Sequence, residues 1–106
     1  MEESKQLSNK LYISNQAVED LEDIWDYIAN DNVKRADAFL DKLYTKCLEL
    51  SELKGVGRSR DDLLPALKSF PYKKYIIFFY RTELEINISR ILHSGRDISR
   101  IFGEES

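Results

Sequence analysis

The sequence predicts an α+β domain in which an antiparallel helical hairpin packs on an antiparallel sheet. Three observations predict it. Two consecutive segments, 15–30 and 33–53, carry apolar residues at helical spacing with only a short polar turn between them. The segment from Lys73 to Leu92 reads as two strands. The hairpin's apolar stripe is too wide to be buried by two helices alone, so it needs a sheet beneath it.

At 106 residues the chain is long enough for one domain with a modest core. Residues 1–9 are polar and read as a flexible N-terminal tail, and 10–103 as the single domain. Lys10 to Ser14 alternates as a short strand. Ser14 or Asn15 then stands where a helix cap belongs, and Glu19, Asp20, Glu22 and Asp23 load the early turns with charge the helix dipole favours. Ala17, Leu21, Ile24, Trp25 and Ile28 make one face of a helix over 15–30. Asn32 is placed to cap the second helix, whose stripe is Ala36, Leu40, Leu43, Cys47 and Leu50, ending before Gly55 and Gly57.

After a polar loop, Ala66 to Phe70 is expected as a short strand stopped by Pro71. Tyr75 to Tyr80 is apolar at both parities, which predicts a strand buried on both faces. In the next strand Leu84, Ile86 and Ile88 alternate with Glu85, Asn87 and Ser89, and Arg90 and Leu92 continue the apolar row. His93-Ser94-Gly95-Arg96 breaks the strand. Asp97 caps a short helix bearing Ile98, Ile101 and Phe102, which Gly103 ends. So short a helix leaves most of the second sheet face uncovered. That predicts a partly apolar groove with a basic rim that awaits a partner, or that the N-terminal segment or a second copy covers.

Charge divides the chain. Residues 1–53 hold 6 Lys/Arg against 12 Asp/Glu, and residues 54–103 hold 10 against 5. The halves either attract one another within the fold or present a basic face to an acidic partner. One His and one Cys, 46 positions apart, fit no metal-ligand spacing, so neither a metal nor another cofactor is expected. Cys47 lies on a helix stripe and reads as core filler. With a single Cys, no signal-like N-terminus and no apolar run of about 20 residues, a cytoplasmic protein without membrane attachment is expected.

The chemistry-bearing residues gather late in the chain. His93 either acts as a general base beside Arg90, Arg96 and Arg100 or merely closes the strand end on backbone. Either Arg90 extends over the core to a helix carboxylate and Arg96 pairs with Asp97 or the acidic first helix, or these two form a working patch with Arg58, Arg60, Arg81 and Arg100.

In order and at the right spacing, SNQAVEDLEDIWDYIANDN, the long second helix, GVGRSRDDLLPALKSFPYKKYIIFFY and ISRILHSGRDISRIF resemble the ParE branch of the ParE/RelE toxin superfamily over about residues 10–102. The resemblance implies a hairpin on a curved antiparallel sheet. It implies the toxin of a bacterial type II toxin–antitoxin module that binds and inhibits DNA gyrase. It also implies neutralisation by a ParD-like antitoxin, whose flexible segment would lie in the groove, here Tyr75, Ile77 and Phe79 with Arg58 and Arg60, and contact with DNA only through the antitoxin complex. Arg81, Arg90, His93, Arg96 and Arg100 would then face the target. The superfamily's other branch cleaves mRNA on the ribosome, a reading that would make His93, Arg81, Arg90 and Arg96 catalytic. However, Phe102 stands roughly where that branch has a proton-transferring tyrosine, and His-Ser-Gly-Arg-Asp departs from the common His-Gly-Ala-Arg-Asp. A fold relative that is inactive as a toxin and serves only as a binding partner is the third reading.

Overall fold

The computed structural model describes residues 10–105, so the tail expected over 1–9 lies outside the described residues. The elements are β1 (Lys10–Ile13), α1 (Asn15–Ala29), α2 (Val33–Glu52), β2 (Arg58–Ser59), β3 (Lys68–Tyr72), β4 (Tyr75–Arg81), β5 (Glu85–His93) and α3 (Ile98–Glu105). The strands form one sheet in the order β1-β5-β4-β3-β2.

Both helix starts follow from their caps. Ser14 Oγ accepts the Ala17 N–H at 3.0 Å, and Asn32 Oδ1 accepts the Arg35 N–H at 3.0 Å. Trp25 ties the hairpin together, its Nε1 donating to Asp37 Oδ1 at 2.8 Å. The sheet is mixed where a fully antiparallel one was expected, because β1 runs parallel to β5. Ser14 extends that pairing: its N–H donates to the Ile88 carbonyl and its Oγ to the Ser89 carbonyl, both at 2.9 Å. One residue thus ends a strand, starts a helix and fixes the helix to the sheet.

Pro71 lies inside β3 rather than after it. It is tolerated because β2 is only two residues long and Arg58 pairs with Ser69, so nothing beside Pro71 asks for its missing N–H. The two-residue turn between β3 and β4 puts Lys73 at φ 57. Gly57, at φ +114, is needed on two counts: a Cβ there would also lie 2.7 Å from Phe79 Cζ.

The core has two layers, as the apolar run of β4 predicts. Ile77, Phe79, Ile86, Ile88 and Ile91 face the hairpin, against Ala17, Ile24, Leu43, Cys47 and Leu50. On the other face Phe78 and Leu92 pack with Leu67 and Phe102. Two corrections follow. The second face is not an open groove, because Leu63 and Leu64 of the 60–67 loop join Ile98 and Ile101 of α3 in covering it. A loop that looks polar in sequence supplies the missing cover. The row of β5 also does not continue through Arg90. Phe78 pairs with Arg90 but Phe79 with Ile88, so Ser89 is a bulge and every later side chain changes face. Ile91, not Leu92, rejoins the hairpin side. Helix α3 also runs past Gly103, where it was expected to end. No helix among the described residues is long and apolar enough to cross a membrane.

Candidate functional site

The end of β5 builds a polar corner. Tyr75 pairs with His93 across the two strands. The following turn is held by three bonds: Ser94 N–H to the Lys74 carbonyl at 2.8 Å, Gly95 N–H to His93 Nδ1 at 2.9 Å, and Arg96 N–H to the His93 carbonyl at 3.0 Å. A Cβ at position 95 would sit 3.1 Å from His93 Nδ1, so a larger residue there would need that ring to give by a few tenths of an ångström. The His93 ring stands edge-on to Tyr75, with centroids 5.4 Å apart. Burial pushes the Tyr75 phenol above its ordinary pKa, with nearby Tyr27 adding to the effect.

Helix α1 supplies the opposite wall. Asp23 and Tyr27 face His93, Arg96 and Tyr75 across a cleft of about 330 Å³ whose lining includes Asp20 and Ile91. His93 therefore closes the strand end on backbone, one of the two alternatives for it, and still stands exposed at the mouth of a cleft.

The arginines do not converge. Arg90 is held by Asp20 of α1, its Nε and Nη2 donating to the two carboxylate oxygens at 2.8 and 2.9 Å. Those bonds raise the guanidinium's pKa further. Arg81 sits at the far end of β4, six residues from Tyr75 and so about 20 Å from the corner. Its Nη2 donates to the carbonyls of Leu50 and Leu53, where α2 ends, and its guanidinium lies over the Phe79 ring. Burial lowers its pKa. Arg81 therefore satisfies carbonyls a helix end leaves without partners. Arg96 and Arg100 are exposed. The backbone N–H of Arg100 donates to the Asp97 cap at 3.3 Å. Of the expected target-facing set, His93 and Arg96 line one cleft, whereas Arg81 and Arg90 are tied into the fold.

The residues expected in the groove also separate. Ile77 and Phe79 are wholly buried beneath the hairpin, which places them in the core and not on an open face. Tyr75 is half-buried at the cleft. Arg58 is exposed on β2, and Arg60 pairs with Asp62 at 3.0 and 3.1 Å while lying over Phe78. Phe102 is buried with its ring edge against Phe78, centroids 4.8 Å apart. Among the described residues no group of three or more His, Cys, Asp or Glu is arranged to hold a metal.

Sequence reasoning missed Tyr27, Lys73 and Lys74 as surface features of this region. The available signal for Tyr27 was an aromatic residue off the helix stripe, and it is 75% exposed.

Comparison with known proteins bears on this geometry. A family model described as "ParE toxin of type II toxin-antitoxin system, parDE" matches residues 11–98. Toxin ParE3 of Caulobacter vibrioides (strain ATCC 19089 / CIP 103742 / CB 15) is 28% identical over 81 residues, 76% of this chain and 81% of that protein. A solved chain described as the chromosomal ParDE TA system from P. aeruginosa superposes with a TM-score of 0.69 at 21% identity, over 81% of this chain and 96% of that one, and so shares the fold.

Proposed function

The chain belongs to the ParE toxin family of type II toxin–antitoxin systems, and from that premise we propose that it acts in the bacterial cytoplasm by binding and inhibiting DNA gyrase until a ParD-like antitoxin neutralises it. The observation that carries a binding role is the corner itself. His93 and Arg96 line an open cleft, with Arg100 exposed on the helix that follows. Exposed cations beside a partly apolar cleft suit recognition of an acidic protein surface. The antitoxin reading keeps Tyr75 and Arg58, which are accessible, and drops Ile77 and Phe79, which are buried.

Ribosome-dependent mRNA cleavage is the competing reading. It needs groups that remove and return a proton. His93 Nδ1 already accepts the Gly95 N–H, and Phe102 is both non-ionisable and buried, so two of that reading's requirements go unsupported.

The deciding experiment is a gyrase supercoiling assay with the purified chain. Inhibition near stoichiometric toxin, relieved by Arg96→Glu, is expected. Unchanged supercoiling at excess toxin, with mRNA cut in primer-extension mapping and sparing after His93→Ala, would hand the assignment to the RNase reading.

A further inference from the structure

A second cleft, of about 440 Å³, adjoins the first and shares Tyr27 and Tyr75 with it. Its other walls are Phe39 from α2 and the turn between β3 and β4. Four cations line it: Arg35, Lys42, Lys73 and Lys74. Among the described residues no carboxylate lines it, although the α1–α2 hairpin is acidic overall; Asp31 meets Arg35 at 3.4 Å in an exposed surface pair. From this combination of exposed aromatic ring and cations we propose that the groove is a docking site for single-stranded nucleic acid, independent of the gyrase reading.

Two features favour that occupant over an acidic peptide. Tyr27 is 75% exposed, so an apolar peptide anchor set against it would remain largely in water. A base needs only one ring face to stack on. The cations also come from two separate elements on either side of the cleft, Arg35 and Lys42 on α2 and Lys73 and Lys74 on the turn, which suits a phosphate backbone that passes along it. Tyr75 is poorly placed as a second platform, because its ring already meets Phe39 at 5.6 Å and His93 at 5.4 Å. Tyr27 is therefore the stacking residue, and Lys73 and Lys74 are the phosphate contacts.

The test is fluorescence anisotropy of the full chain with labelled oligo(dT) and oligo(rU) of about 15 nucleotides, within the footprint of a small single-strand binder, at about 50 and 200 mM NaCl. Binding is expected to weaken at the higher salt. Tyr27→Ala should weaken it by about 10-fold or more while Tyr27→Phe retains it. Lys73→Gln with Lys74→Gln should flatten the logarithmic salt dependence by about 1.4. These side chains are exposed or line the surface, and thermal melts of each variant confirm that any loss is not unfolding. Failure of both oligomers to bind at about 100 µM, the weak end of non-specific affinity, overturns the proposal. So does binding that Tyr27→Ala leaves intact. A Glu-rich peptide with a central Trp that binds more tightly than either oligomer and displaces both overturns the proposal and reassigns the groove to acidic protein segments.

Discussion

Asp20 on α1 and Arg90 on β5 form a bidentate pair, and the same carboxylate accepts the Ile91 N–H at 2.9 Å. β1 pairs with β5 only as far as Ile88 and the Ser14 backbone, so beyond that point no strand among the described residues lies along this edge of β5. Asp20 stands in for the missing strand at Ile91, while Arg90 neutralises the charge this brings inside. The side chains are 7% and 12% exposed, so solvent screens the pair little.

Removing one partner should therefore cost more than an ordinary surface ion pair. Asp20→Ala is expected to destabilise the fold by about 3–5 kcal/mol, because it removes the buried carboxylate to which the Arg90 guanidinium and the Ile91 N–H both donate. Urea denaturation measures it. In a double-mutant cycle, Asp20→Ala with Arg90→Ala should cost less than the sum of the single changes. Additivity would mean that the two do not act as a unit.

Much of this fold was legible from residues that act locally. Ser14 and Asn32 cap the helices they appear to cap, and the two-parity apolar run of β4 foretells two core layers. What stayed hidden depends on distant register. The Ser89 bulge is a property of two paired strands, so nothing in β5 alone says that Arg90 and Leu92 change face. The parallel seating of β1 is likewise invisible, since alternation fixes a strand's faces but not its neighbour. At the site, composition correctly gathered the arginines in one half of the sequence. A helix carboxylate is one of the two alternatives for Arg90, and Asp20 is that carboxylate, but nothing in the sequence says that a helix end consumes Arg81.

Arg81 and Arg96 contrast an arginine tied into the fold with one proposed to meet the target. Arg81→Ala removes the donor at the α2 carbonyls and should lower stability by about 1–3 kcal/mol in urea titration. Arg96→Ala, on an exposed turn, should change stability by no more than about 0.5 kcal/mol, yet weaken gyrase inhibition. Equal loss of inhibition by both variants, without any loss of stability in Arg81→Ala, would return Arg81 to the target-facing set.

Cys47 gives a pH prediction. Burial pushes its thiol up to about 11. The raised value means the folded state holds the proton where the unfolded chain releases it. The stabilisation is whole below about 9 and is lost as pH rises through 11. Tyr75, also raised by burial, acts with the same sign. Thermal melts should be flat in this respect at neutral pH and fall in the alkaline range. A disulfide exchange reagent at pH 8 should label Cys47 only as fast as the protein opens, so labelling should accelerate with added urea.

Phe102 gives a test of the RNase reading. If the absence of a tyrosine here were all that distinguishes this chain from RNA-cleaving relatives, Phe102→Tyr should create mRNA cleavage. The geometry predicts otherwise. The ring is 1% exposed and its edge meets Phe78 at 66°, inside the layer formed with Leu67 and Leu92. A phenol there would bring a hydroxyl into an apolar layer, at a cost of about 1–3 kcal/mol unless the helix shifts to expose it. Phe102→Ala should cost about 3–5 kcal/mol through the cavity it leaves and should loosen α3 from the sheet. The expected outcome is a lowered melting temperature for both variants and no new cleavage product in primer extension with Phe102→Tyr. A new His93-dependent product from a stably folded Phe102→Tyr would show instead that α3 swings this side chain out to the corner.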